Sequence, residues 1–124
     1  MQDLEKTLDQ RTAFADTWIA AWNTRDLEQV LALYADDSEM VSDKIIKLGF
    51  DPNGRLRGKD NLRAYWGRAL PLRPKLHFTL INAFVSPDSL VVFYRDELGH
   101  EICEYLRLNA DGKIVQGSAN HLHG

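Results

Sequence analysis

Leu4, Leu8, Ala15, Trp18 and Trp22 recur at helical spacing, and Phe14 and Ile19 widen the stripe, which predicts an amphipathic helix over residues 3–23. Asn23-Thr24-Arg25 breaks the pattern. Asp26 is placed to N-cap a second helix, with Gln29 three residues on as a capping box requires. Leu27, Val30, Leu31 and Tyr34 then follow the i, i+3, i+4, i+7 pattern, and this helix is expected to end near Asp36-Asp37. Residues 38–42 alternate weakly and suggest a short strand. Residues 43–57 hold Gly49, Pro52, Asn53 and Gly54 among basic residues and read as a long loop or irregular hairpin. A third helix is expected over residues 59–70, with Leu62, Tyr65, Trp66 and Ala69 on one side and Pro71 as its stop.

The period then changes. Residues 77–85, 90–96, 100–109 and 113–121 are rich in Val, Ile, Phe, Tyr and Leu, and Ser86-Pro87-Asp88, Leu98-Gly99 and Ala110-Asp111-Gly112 separate them. Four strands with short links predict an antiparallel meander. Three helices followed by such a sheet make an α+β fold with helices on one sheet face. On the third of these strands Ile102, Glu104, Leu106 and Leu108 share one face, and Cys103, Tyr105 and Arg107 the other. Both faces carry apolar groups and helices cover only one, so a homodimer through the outer sheet face is expected.

At 124 residues the chain is read as a single domain, 1–124, with 44% hydrophobic and 27% charged residues arguing against disorder. No apolar run approaches the ~20 residues of a membrane span, and the polar start MQDLEKTLDQ does not read as a signal peptide. A lone Cys103 forms no internal disulfide, which fits a cytoplasmic location. Charge is uneven: residues 1–43 carry three basic and ten acidic groups, 44–75 nine and two, and 76–124 three and six. The acidic flanks argue against a nucleic-acid surface. The basic middle block reads either as a solvated helix face with a charged loop or as a positive rim attracting small anionic ligands.

The order of elements, together with the runs Trp22-Asn23-Thr24-Arg25-Asp26-Leu27, Leu33-Tyr34-Ala35-Asp36-Asp37, Arg57-Gly58-Lys59-Asp60 and Asp111-Gly112-Lys113-Ile114, resembles the nuclear transport factor 2-like superfamily, which includes SnoaL-like cyclases and ketosteroid isomerases. The resemblance spans residues 8–121. It implies a conical α+β fold, three N-terminal helices on a curved, mostly antiparallel sheet, enclosing a pocket open at one end. It implies a fold more than a reaction, because isomerases, dehydratases, cyclases, hydrolases and non-catalytic scaffolds share it. Ketosteroid isomerases use a strand carboxylate as base, with a Tyr and a protonated acid as oxyanion hole. On the matching runs the base position falls on Ser42, with Asp43 one residue beyond, and a one-residue slip in a strand reverses the face. The Tyr position falls on Trp18 and the acid on Glu104. Only Glu104 keeps the chemistry, so ketosteroid isomerase activity is not expected.

Glu104 sits mid-strand between apolar neighbours, so it is either exposed at a sheet face or a pocket acid with a raised pKa. If Asn109 to Gly112 forms the last turn, Leu108 pairs with Lys113, Gly117 lies opposite Glu104, and His121 lies opposite His100. Glu104, His100 and His121 would then share one face, with Glu104 and His121 as an acid/base pair; the other reading of His121 is a solvated chain end. His121-Leu122-His123 is too sparse for a metal site, Cys103 reads as a small packed hydrophobe, and no phosphate loop or nucleophile elbow appears, so neither metal nor cofactor is expected. In a conical fold Trp18 and Trp66 are expected to line the cavity, with Met40, Phe78 and Tyr94 as supporting wall and Ser42 near the base position. For Tyr94 the parity depends on the Leu98-Gly99 turn, since a two-residue turn would place Phe93 beside Glu104 instead. Such a wall suits a small apolar, aromatic or polycyclic molecule. Two functions from different classes follow: a SnoaL-like enzyme moving protons without a cofactor, or a non-catalytic ligand-binding or dimerisation module of the same fold. A helper subunit is a third.

Overall fold

Asp3 opens the first helix by accepting a hydrogen bond from the Glu5 backbone N–H at 3.0 Å, and α1 then runs over Leu4–Asn23. The computed structural model describes residues 3–123. Ala15, Trp18, Ile19 and Trp22 bury the C-terminal half of the apolar stripe, whereas Leu4 is exposed. The second helix is shorter than its periodicity suggests: α2 spans Leu27–Leu31, capped by Asp26. Tyr34 instead begins β1 (Tyr34–Val41), because the chain there meets the last strand and Ile114 N–H donates to the Leu33 carbonyl at 2.9 Å. Strand pairing overrides a helical pattern that α2 is too short to enforce.

The expected loop over 43–57 contains two elements. Ser42 caps a short helix, α3 (Asp43–Lys47), its hydroxyl accepting from the Lys44 N–H at 3.2 Å while Ile45 is fully buried. The chain then turns at Asp51, whose carboxylate accepts from the N–H groups of Asn53 and Arg55, and enters β2 (Arg55–Arg57), antiparallel to β1. The third expected helix forms as α4 (Lys59–Ala69) and tightens into a 3-10 turn at Leu70–Leu72 around Pro71. Among the described residues there are therefore four α-helices where three were expected.

The remaining strands are β3 (Thr79–Val85), β4 (Ser89–Arg95), β5 (Glu101–Leu108) and β6 (Ile114–His121). They form the predicted meander and complete one sheet in the order β2-β1-β6-β5-β4-β3, in which only β1 and β6 run parallel. Register shifts in β1, β3 and the β5–β6 ladder bend the sheet. The α1 helix lies across β3 and β4, and α4 packs on β1 and β2, so the core fills the space between helices and one sheet face. The structure has the expected α+β architecture.

The β5–β6 register differs from the expected one. Asn109, not Leu108, pairs with Lys113, since the Asn109 side chain accepts from the N–H groups of Asp111 and Lys113 and closes a tighter turn. A second shift then falls between Arg107 and Leu108, so Glu104 lies opposite Ala119, not Gly117, and His121 opposite Ile102, not His100. Two shifts preserve parity. Glu104 and His121 still share a face as diagonal neighbours, a relation of about 7–8 Å between strands.

Candidate active site

An aromatic wall forms first. The Trp18 ring stacks on Phe78 with centroids 6.0 Å apart and meets Tyr94 at 5.4 Å, and Phe78 and Tyr94 approach to 4.4 Å. Trp66 meets Trp22 edge-on at 5.1 Å and Tyr34 at 5.1 Å. Phe78 is held by Asn23, whose side-chain amide accepts from the Phe78 N–H and donates to its carbonyl, both at 2.8 Å. Trp18, Trp22, Trp66, Phe78, Tyr94 and Met40 enclose a cavity of about 100 Å³. An apolar cavity of about 150 Å³ admits benzene, so the enclosed part holds no more than one ring, and a larger ring system would extend outward.

One carboxyl faces this apolar space. Glu104 is 3% exposed, and its Oε1 accepts from the Tyr94 hydroxyl at 3.3 Å, long for such a bond. Burial pushes its pKa up to about 7, against the weaker opposing pull of the Tyr94 hydroxyl and the Lys44 ammonium. The same burial raises the Tyr94 phenol well above its ordinary value, and Tyr65, beside the Ser42 hydroxyl, to about 12. Near neutral pH both protonation states of Glu104 are accessible, which is what a group that alternately takes and gives a proton needs.

The cavity opens between α3 and the ends of β4, β5 and β6 into a vestibule of about 580 Å³. Lys44, Arg73 and His121 line both spaces. Arg73 is fixed by a fork onto Glu97 at 2.9 Å and by Asp96 at 3.2 Å. Asp96 is itself buried, and its other oxygen accepts from the N–H groups of Leu98 and His100 at 2.9 Å. Burial alone would raise the Asp96 pKa, but these N–H groups and Arg73 hold it below the ordinary carboxylate range. His121 Nε2 lies 3.5 Å from Asp43 Oδ1, and burial, with the Lys44 charge, pushes its pKa down despite Asp43.

The structure brings Glu104, His121, Trp18, Met40, Ser42, Trp66, Phe78 and Tyr94 to the walls of one cavity. Tyr94 shares the Glu104 face because the β4–β5 connection runs from Asp96 to His100 rather than closing in two residues, pairing Val92 with Glu104. His100 does not join them. It sits in that connection, its side chain 69% exposed, and lines only the vestibule. Two further placements differ in chemistry from expectation. The Trp18 indole N–H is spent on the Tyr34 hydroxyl at 3.1 Å, and Ser42 caps α3 rather than sitting on a strand. Lys44 and Trp22 line the cavity without having been singled out from sequence. A Ser-Asp-Lys start to a short apolar turn was the available signal for α3, but the Gly and Pro residues that follow masked it. Among the described residues no cluster of three or more His, Cys, Asp or Glu is placed to hold a metal ion.

The SnoaL-like domain family matches residues 15–117. No match is found among curated proteins. Among solved structures, a SnoaL-like protein from Burkholderia thailandensis E264 is 36% identical, with a TM-score of 0.85 over 95% of this chain and 96% of that one. A nuclear transport factor 2-like protein from Burkholderia pseudomallei K96243 is 20% identical, with a TM-score of 0.72 over 94% and 91%. TerC, co-crystallised with polyporic acid, is 17% identical, with a TM-score of 0.73 over 90% and 92%. The last two similarities are similarities of fold.

Proposed function

The chain belongs to the SnoaL-like family, and from that premise we propose that it is a small-molecule enzyme that takes an apolar or aromatic substrate into this cavity and moves a proton on it with Glu104, without a cofactor. The observation that carries the reading is a buried carboxyl, its pKa raised to about 7, on the wall of an aromatic-lined cavity. Glu104 is the acid/base in this reading. His121, at the neck and beside Asp43, is the second polar group, placed to hydrogen-bond an oxygen of the substrate or relay a proton to the vestibule. The size of the enclosed space favours one ring inside, with any extension lying in the vestibule. That a protein of the same fold was co-crystallised with polyporic acid supports small-molecule binding at the level of fold. A homodimer through the outer sheet face belongs to the same proposal. Val91, Phe93, Cys103 and Tyr105 are half-buried there, and Phe84 is 59% exposed.

The test uses solvent exchange. A panel of single-ring ketones in deuterated buffer is followed by proton NMR for catalysed exchange at enolisable carbon. The expected result is exchange by the native protein, a loss of about 10²–10⁴-fold in Glu104→Gln, and a smaller loss in His121→Ala. Equal exchange by all three proteins removes the catalytic proposal. Ring binding without exchange supports the non-catalytic binding module instead.

A further inference from the structure

Lys44 stands apart from the other charged groups of the vestibule. Lys47 pairs with Asp43 at 3.2 Å, Arg73 with Asp96 and Glu97, and Glu101 with Arg95 at 2.8 Å. Among the described residues Lys44 has no ion-pair partner, yet it lines both the aromatic cavity and the vestibule and is only partly exposed. A half-buried ammonium with no carboxylate at ion-pair distance is only partly compensated, and a ligand anion relieves that cost. Its charged surroundings are Arg73, Asp96, Asp43 and Glu104, and burial together with Arg73 pushes its pKa down. His121 and the exposed His100 and His123 complete the rim, where the carboxylates of Asp43, Asp96 and Glu101 are already paired with Lys47, Arg73 and Arg95.

We propose that Lys44 selects ligands in which one apolar ring carries a carboxylate, the ring filling the inner cavity and the carboxylate resting at the neck against the Lys44 ammonium. This rests on the reading that the aromatic cavity is the substrate site, and it names the substrate class of that site. The inner space is lined mainly by aromatic and aliphatic side chains and holds no more than one ring. A charged end cannot follow the ring inside without losing its hydration, so it stays where water and an ammonium are both available. The side chain that determines specificity is thus on α3, the element the sequence reads as loop.

Benzoate and its neutral isostere benzamide test the proposal, with binding read from the fluorescence of Trp18, Trp22 and Trp66 around the cavity. The native protein is expected to bind benzoate at least about tenfold more tightly than benzamide. In Lys44→Met the ratio falls to about one, chiefly through loss of benzoate affinity. Lys44→Gln, which keeps a polar end at the neck, is expected to lose the preference as well, since charge is what selects. Circular dichroism establishes that both variants are folded. Equal binding of the two probes by the native protein overturns the Lys44 assignment but leaves the cavity reading standing. Persistence of the preference in both variants does the same, as expected if Lys44 only balances Glu104. Failure of both probes to bind at millimolar concentration overturns both.

Discussion

At pH 7 the Glu104 carboxyl stands near its midpoint, because burial disfavours the charged form and one long phenol hydrogen bond offsets little of that cost. Its ordinary value in the unfolded chain is about 4.3, so the folded protein takes up a proton between that pH and about 7. Stability linked to Glu104 is fully present below the unfolded value and is lost as pH rises through the folded one, by up to about 4 kcal/mol. Asp43, Asp96 and Glu97 shift the opposite way, and their contribution is lost as pH falls into the acid range. These groups are common to native protein and variant, so the difference between the two isolates Glu104. Denaturant melts of Glu104→Gln are expected to show a stability advantage over the native protein that grows from pH 5 to pH 8. Parallel pH curves would mean that the carboxyl titrates at its ordinary value. That this carboxyl was the one to watch is legible in the alternation of Ile102, Glu104 and Leu106. That Trp18 spends its N–H on Tyr34 is not, because the two residues meet only when α1 crosses the sheet.

Between residue and molecule, the β1–α3–β2 unit shapes the mouth. It folds back because Gly54, at φ +72°, closes the turn so tightly that its carbonyl accepts from the Ser42 N–H at 2.9 Å. A Cβ at this position would sit 2.8 Å from the Ser42 carbonyl oxygen, closer than backbone allows. Gly54→Ala is therefore expected to cost about 1–3 kcal/mol and to lower the melting temperature measured by circular dichroism. An unchanged melting temperature would show that the turn relaxes without the Ser42 contact. The turn itself is legible in Asp51, Pro52, Asn53 and Gly54. The helix inside it is not, since five residues with one buried side chain, Ile45, leave little periodicity to read. The long α1 and α4 were legible for the opposite reason, as each repeats its apolar stripe over several turns.

For the whole molecule, one sheet face is covered by helices and the other is left with half-buried apolar side chains from β4 and β5 and an exposed Phe84. Sedimentation equilibrium at micromolar concentration is expected to give twice the monomer mass, and Tyr105→Lys, on the outer face of β5, to return it to the monomer. A monomer for the native chain would remove the dimer from the proposal. Among the described residues no helix is long and apolar enough to cross a membrane. The sequence by itself determined what local periodicity determines: the two long helices, the four-strand meander, and the alternation of faces along each strand. Tertiary structure decided what depends on distant partners: Tyr34 in a strand, the two register shifts, His100 outside the cavity, and Lys44 at its neck. Side-chain period is set by neighbours within a few residues, whereas register and enclosure are set by contacts between segments that meet only after the chain has folded.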